Sequence, residues 1–263
     1  MNQFFHTGAL AAALCTLFAP AGTASAAPDD STDRITETRV VDARAQRVRL
    51  DGAIDLRLRQ GAVPSLVITG EKRLMSSITT EQEGDTLTIG SEARGVRALT
   101  RGNSVRAELT LPSLREVSSE SIGWTDVSGF SGDELELSLE GAGSMKVNCH
   151  YRLVSASLGG VGSMNLQGVV SEGVELALRG AGYATLGGSA KWLQANLGGL
   201  GGLDAQHFQV DSVTLDLNGL GNATVMARHS ATLRLSGLGS VTVYGKPPNR
   251  NVSVDGLGKI SWK

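Results

Sequence analysis

The sequence predicts an all-β fold of stacked coils, a parallel β-helix (β-solenoid) with about 19 residues per coil. Two glycines that flank one apolar residue recur seven times, and successive first glycines are 19, 20, 19, 20, 18 and 19 residues apart. Apolar and polar residues alternate on both sides of each pair, which is typical of half-buried strands. Identical strands one repeat apart can pair only in parallel. The glycine pairs are Gly141/Gly143, Gly160/Gly162, Gly180/Gly182, Gly199/Gly201, Gly219/Gly221, Gly237/Gly239 and Gly256/Gly258.

The N-terminus has the features of a signal peptide, which we expect to span residues 1–26. These residues contain no Asp, Glu, Lys or Arg, and an apolar run from Ala9 to Ala19 precedes Ala24-Ser25-Ala26. This pattern is typical of a secretory signal with an Ala-x-Ala cleavage site. The run is too short to span a membrane, so we expect no membrane insertion after cleavage. Cys149 is then the one remaining thiol, and no intramolecular disulfide is expected.

The region between the signal and the repeats divides into two parts. Residues 27–45 are polar, and we expect a flexible segment. We expect residues 46–112 to form the N-terminal capping part of the solenoid. Its predicted elements are a coil at Val48–Gly52, strands at Ser65–Thr69 and Thr86–Ile89, a short helix at Lys72–Ser77 and a loop at Ser91–Ser104.

Residues 113–263 are predicted to form the regular solenoid repeats, each a strand, a glycine corner, a second strand and a short return. Apolar residues occupy five positions of nearly every coil, at two, four and six residues before the first glycine and at four and six after it. Ser121-Ile122-Gly123 predicts an eighth coil. The glycines are expected to allow either a positive φ or a close approach of the chain. The apolar residues between them are expected to point inward and fill the corner: Ala142, Val161, Ala181, Leu200, Leu220, Leu238 and Leu257.

A column of charges lies eight residues before each first glycine, and its sign alternates from coil to coil. The column contains Asp133, Arg152, Glu172, Lys191, Asp211 and His229. Neighbouring coils are about 4.8 Å apart, so these residues are expected to pair and to support the register. At the C-terminal end Trp262 falls in an inward column and is expected to cap the open core, and residues 46–90 are expected to cap the other end.

Several segments occur in a characteristic order along the chain. They are Gly-Ala-Ile-Asp-Leu within 50–56, Ser-Leu-Val-Ile-Thr-Gly-Glu at 65–71, Gly-Asp-Thr-Leu-Thr-Ile at 84–89, Leu-Pro-Ser-Leu at 111–114 and the glycine coils. Together they resemble the GIN-domain family, the head domain of adhesins of bacterial envelopes. The similarity covers about residues 35–263 and implies a right-handed parallel β-helix, an exported bacterial protein in the periplasm or at the cell surface, and an adhesin role. Gly-Leu-Gly corners replace the Gly-Ser-Gly common in that family.

Composition and spacing argue against several kinds of function. A formal charge of −2 disfavours nucleic acid and anionic membranes as main partners. Cys149 and His207 fall at one repeat offset but three coils apart, too far to share a zinc ion, and we predict neither a metal site nor a cofactor. Glu136 and Glu175 share a column two coils apart, about 9–10 Å, a spacing that suits an inverting carboxylate pair. A polysaccharide-active β-helix enzyme, a lyase or a glycosidase, therefore stays an alternative.

The remaining candidate for function is the polar outer surface of the solenoid. Two sheet faces rich in Ser, Asn, Thr and Gln could bind a glycan or an envelope protein, or could form a purely structural wall. The candidate ligand-face residues are Asn165, Tyr183, Thr224 and Tyr244. We therefore expect an exported, non-enzymatic envelope protein with an adhesin or binding role.

Overall fold

A computed structural model describes residues 34–91 and 105–263, and these residues contain seventeen strands and one four-residue helix. The predicted signal peptide and residues 92–104 of the predicted loop lie outside these ranges. The strands are β1 (Arg34–Arg39), β2 (Arg47–Gly52), β3 (Ile54–Gln60), β4 (Ser65–Glu71), β5 (Ile78–Glu83), β6 (Thr86–Ser91), β7 (Val105–Leu111), β8 (Glu116–Ser121), β9 (Trp124–Leu139), β10 (Ser144–Leu158), β11 (Val161–Leu178), β12 (Ala181–Leu197), β13 (Leu200–Leu217), β14 (Leu220–Leu235), β15 (Leu238–Tyr244), β16 (Asn249–Val254) and β17 (Lys259–Trp262). The helix, α1 (Lys72–Met75), lies where the sequence predicts one.

The long strands β9 to β14 confirm the predicted solenoid. Each runs from one glycine corner to the next and pairs in parallel with the strand of the following coil, as in Met145 opposite Met164 and Val161 opposite Ala181. The two strands predicted for each repeat are continuous, and register shifts near their middle mark the bend. We call the outward surface before each corner the first face and the outward surface after it the second face.

The five predicted inward columns form the core. Their residues are buried from β9 to β15, because each coil is covered by the next. In the last coil Val252 and Val254 are exposed, since no described strand follows them. Trp262 packs against the core there, and the Arg250 guanidinium carbon lies 4.3 Å from the centre of its ring. Arg250, the exception in an apolar column, thus covers the terminal tryptophan.

The expectation that the apolar corner residues point inward is wrong. Val161, Leu200, Leu220, Leu238 and Leu257 are all exposed, from 50% for Leu220 to 85% for Leu257, and Ala142 and Ala181 are exposed too. The alternation runs through the corner without a break, so the glycines take the core-side positions and the apolar residue takes the outward one.

Close stacking of the coils explains these glycines. A β-carbon on every first glycine of the pairs would come within 3 Å of the backbone of the preceding coil, as at Gly199, where it would meet the carbonyl oxygen of Gly180. None of the corner glycines has a positive φ. Of the two reasons offered by the sequence, close approach is therefore the one that applies.

The N-terminal coils stack out of sequence order. Strand β2 pairs in parallel with both β6 and β8, and β3 pairs with both β7 and β9. Residues 47–60 therefore form a coil between strands β6 and β7 on one side and the coil that begins at Glu116 on the other. Antiparallel strands close this end, because β5 pairs with β6, and β4 pairs with both β7 and β1.

Residues 34–39 form a strand where the sequence analysis expected flexibility. Strand β1 pairs with β4 along its whole length, from Arg34 opposite Glu71 to Arg39 opposite Leu66. Ile35 packs against the core, and the Arg39 guanidinium donates to the carbonyl oxygen of Ile78 at 2.9 Å. The expectation was therefore wrong for this part, because a polar segment can be ordered as an edge strand with only its alternate residues packed.

Candidate functional site

A cleft of about 990 Å³ opens on the first face near the N-terminal coils. Its volume lies within the range of small-molecule sites. Its floor belongs to strands β9 to β12, and its N-terminal rim belongs to β2, β8 and the segment before β8. The lining residues are Gln46, Arg47, Ser113 to Glu116, Ser131 to Glu136, Tyr151 to Ser155, Gly173, Glu175 and Trp192.

Carboxylates line the floor of the cleft in one column. Glu116 lies opposite Glu136, Glu136 opposite Ser155, and Ser155 opposite Glu175 in the parallel register. Glu136 and Glu175, which the sequence analysis paired, are thus in the same cleft and two coils apart, about 9.6 Å at 4.8 Å per coil. Their carboxylates can accept hydrogen bonds from a ligand lying across the coils.

Trp192 supplies an aromatic surface beside this column. Leu153, Gly173 and Trp192 lie opposite one another on three successive coils. The indole lies over Gly173, and a β-carbon at residue 173 would come within 3 Å of its ring. Gly173 thus leaves the space in which the half-exposed indole rests on the sheet. Sequence reasoning missed Trp192; a tryptophan in an outward column, in register with a glycine one coil earlier, was the available signal.

Two of the three arginines that line the cleft, Arg47 and Arg152, are paired with acids. Arg47 Nη1 lies 3.2 Å from Glu116 Oε2, and its Nε lies 3.4 Å from Asp85 Oδ2. Arg152 lies 3.6 Å from both Asp133 and Glu172. Five carboxylates and three guanidinium groups line the cleft. The site therefore has an excess of negative charge and of hydrogen-bond acceptors.

Residues of the predicted alternating charge column contact one another, and Asp133 and Arg152 of this column also line the cleft. Besides the Arg152 contacts, Lys191 Nζ lies 2.7 Å from Glu172 Oε1, and His229 Nδ1 lies 3.3 Å from Asp211 Oδ1. The hydrogen bond from Lys191 is the main reason that the pKa of Glu172 falls below its ordinary value, and Arg152 adds to the effect. These contacts confirm that charged residues of the column pair between neighbouring coils, as expected.

Tyr151 fastens one wall of the cleft. Its buried hydroxyl donates a 2.7 Å hydrogen bond to the carbonyl oxygen of Leu114, which fixes the segment before β8 against β10. Two residues away, Cys149 is completely buried. Burial raises the pKa of the Cys149 thiol to about 12 and also raises the pKa of Tyr151. Cys149 is therefore a core residue.

The candidate ligand-face residues lie on the second face, away from the cleft. Asn165 and Thr224 share a column, with Thr185 and Asp204 between them. Tyr183 is exposed and its ring lies over Gly202, whereas Tyr244 lies at the C-terminal end with Lys263 Nζ 5.6 Å from its ring centre. The four residues span five coils, about 19 Å. The structure places them on one face without gathering them into one site.

A metal centre and a membrane-spanning helix are not found in the described part of the chain. Within residues 34–91 and 105–263, no three His, Cys, Asp or Glu side chains come close enough to hold a metal ion. Over the same residues, no helix has the length and apolar character needed to cross a membrane.

The stacked coils define a parallel β-solenoid with an acidic cleft on one sheet face. The chain belongs to the family described as "putative auto-transporter adhesin, head GIN domain", whose model matches residues 46–247. That description indicates an exported or surface protein. No curated protein sequence matches the chain.

Solved structures share the fold at low sequence identity. A crystal structure described as a putative adhesin from Bacteroides fragilis NCTC 9343 is 20% identical, covers 89% of this chain and 98% of its own, and has a TM-score of 0.68. One described as a putative lipid binding protein from Parabacteroides distasonis ATCC 8503 is 17% identical with the same coverage and a TM-score of 0.79. A third, described as a putative adhesin from Parabacteroides merdae ATCC 43184, is 18% identical over 89% of this chain and 97% of its own, with a TM-score of 0.69.

Proposed function

We propose that this protein is an exported, non-enzymatic envelope protein that binds a neutral glycan in the Trp192 cleft. The observation that carries the proposal is the aromatic platform of Trp192 beside the column of Glu116, Glu136 and Glu175. A sugar ring has an apolar face that can stack on an indole and hydroxyl groups that donate hydrogen bonds to carboxylates. The family's description as an adhesin head supports a binding role.

The charge of the cleft favours a neutral glycan over an acidic one. Carboxylates outnumber guanidinium groups in the lining, and Arg47 and Arg152 already contact acids. A uronic acid polymer would bring further negative charge to this surface and would be repelled. Neutral hydroxyl groups have no such penalty, and each can donate to a carboxylate that keeps its other contacts.

The predicted signal peptide and the family support a location outside the cytoplasm. A secretory signal at residues 1–26 and an adhesin head both support work outside the cytoplasm, in the periplasm or at the cell surface. The partner there is a glycan of the envelope or of a neighbouring cell, or an envelope protein that carries one.

Binding to neutral glycans by the purified protein tests the proposal. We expect an array of neutral and acidic glycans to give neutral hits, and Trp192→Ala to weaken a hit at least about 10-fold, because an aromatic contact of about 1.4 kcal/mol is lost. Tyr183→Ala, an exposed aromatic of the second face, is the matched control and should bind normally. Binding that is lost with Tyr183→Ala or Tyr244→Ala but kept with Trp192→Ala would move the site to the second face. No binding to any glycan would leave the structural-wall alternative.

Glycan cleavage is the second candidate function, because the structure places Glu136 and Glu175 in the same cleft. In an inverting hydrolysis one carboxylic acid protonates the leaving oxygen and the other carboxylate activates a water molecule, with about 6.5–9.5 Å between them. Chromatography of oligosaccharides incubated with the protein distinguishes the two functions. Products that disappear in Glu136→Gln, while binding persists, would contradict the non-enzymatic proposal.

A further inference from the structure

The outward apolar residues of the glycine corners form one continuous row, which we call the corner ridge. It consists of Ile122, Ala142, Val161, Ala181, Leu200, Leu220, Leu238 and Leu257. The parallel register aligns its members coil by coil from Val161 to Leu238. Eight rungs about 4.8 Å apart make a ridge about 34 Å long. Exposed apolar rows of this length are uncommon on monomeric proteins and mark interaction surfaces.

One outward position beside the middle of the ridge has no side chain. Leu200 stands between Gly198 and Gly202, the neighbouring outward positions of its coil, and the ring of Tyr183 covers Gly202 but not Gly198. Among the described residues nothing requires a glycine at 198: its φ is not positive, and the nearest atom to an added β-carbon would be the carbonyl oxygen of Leu178 at 3.8 Å. The fold would accept a side chain there. The empty position therefore points to space kept for another molecule.

We propose that the corner ridge is the interface of a homodimer, in which two solenoids lie side by side and parallel, related by a two-fold axis along the stack. A second copy presents the same rungs at the same spacing, so Leu200 of the partner subunit can lie in the space over Gly198. This interface is separate from the Trp192 cleft, because Trp192 lies well before the corner of its coil and Leu200 lies at the corner. The proposal thus goes beyond the proposed function.

Charges beside the ridge fit the parallel arrangement. Such a two-fold axis places the outward row just before the corner opposite the outward row just after it, at equal height. Asp255 then faces Lys259 of the partner subunit, and Arg179 faces Tyr183 of the partner subunit. An antiparallel pair would instead place like rows together, with Glu140 toward the end that holds Asp255. Electrostatic complementarity therefore favours parallel copies.

The area available suffices for a modest dimer. The ridge and the two rows beside it are about 15 Å wide, since alternate residues of a strand are about 6.8 Å apart. With the length of about 34 Å, two copies bury about 1,000 Å² in total, the lower limit for a specific interface. A lipid surface is a poorer occupant, because interfacial membrane binding uses aromatic anchors and a basic border. The ridge is purely aliphatic, and Glu140 and Asp255 lie beside it as well as Arg179 and Lys259.

Sedimentation velocity of the purified protein over a wide concentration range tests the dimer. We expect the wild type to dimerise and Leu200→Asp to weaken the dimer about 100-fold or more, because the two-fold interface would then bury two aspartates, one from each copy. Val170→Asp is the matched control, since Val170 and Leu200 are both 58% exposed and Val170 lies away from the ridge. Leu220→Ser gives a gentler second variant, and unfolding curves check that each variant folds.

A charge swap tests the orientation of the two copies. Asp255→Lys should weaken the dimer about 3- to 10-fold, since it replaces the two exposed Asp255–Lys259 pairs of the interface by two lysine–lysine contacts that repel. Adding Lys259→Asp should restore it, because the rows then exchange charges. A monomer at every concentration, a dimer indifferent to Leu200→Asp, or a swap without recovery would overturn the proposal. So would a monomer whose Leu200 is needed to bind vesicles of phosphatidylcholine and phosphatidylglycerol, which would assign the ridge to lipid.

Discussion

Gly198 and Gly199 are adjacent, yet the structure predicts opposite effects of an alanine at each. A β-carbon at residue 199 would lie 2.9 Å from the carbonyl carbon of Arg179 and closer still to the carbonyl oxygen of Gly180. That oxygen accepts the 3.1 Å hydrogen bond from the Leu200 amide, so the new methyl group would displace a bonded atom. At residue 198 the nearest atom would be 3.8 Å away.

The expected sizes follow from these contacts. Gly199→Ala should lower the free energy of unfolding by about 2–4 kcal/mol, from overpacking of about 1–3 kcal/mol and a hydrogen bond of about 1 kcal/mol. Gly198→Ala should leave it unchanged or raise it by about 0.4–1 kcal/mol, because alanine restricts the unfolded chain. Urea unfolding of dilute protein, where association is least, measures both. Equal effects at the two positions would refute the argument that close stacking of the coils is what requires glycine at the corner.

Three further predictions concern single residues. Burial raises the pKa of the Cys149 thiol from 9.0 to about 12, so the folded state keeps the thiol protonated where the unfolded chain loses the proton. The free energy of unfolding should therefore be unaffected below pH 9 and fall by about 1.4 kcal/mol per pH unit between pH 9 and 12. Cys149→Ala should flatten this fall in unfolding curves. Lys191→Met should raise the pKa of Glu172 toward its ordinary value, read by NMR titration of the carboxyl, and no change would contradict the assigned ion pair. Trp262→Ala should speed amide exchange in β16 and β17 while β10 to β12 keep their protection, because Trp262 covers only the end of the core; uniform acceleration would argue against a local cap.

The core was predictable from the sequence because burial in a solenoid follows one alternation counted from the glycines. The corner was not, because the analysis let the apolar character of residues such as Leu200 override that alternation. Apolar residues are not obliged to be inside, since much of any protein surface is apolar. Had the period of two been carried through Gly199 and Gly201, Leu200 would have been placed outward.

The candidate site was only partly predictable. Glu136 and Glu175 share a repeat column, so their proximity could be read from spacing alone. Arg47 could not be assigned to the same cleft, because its strand enters the stack between two later segments and no local pattern reports that insertion. Trp192 rests on Gly173, a contact that depends on the exact register of two coils.

The coil of residues 47–60 also sets the order in which the molecule can assemble. The strands that pair with it in parallel are all synthesised after it, so it has nothing to stack on until they follow. A simple repeat array can grow from its first unit, whereas this one must wait until residues 86–139 are present and then close around the earlier segment. Removing the last coil would shorten the stack, but removing residues 47–60 would open a gap within it. We therefore expect strands β2 to β9 to fold as one cooperative unit, onto which the later coils add.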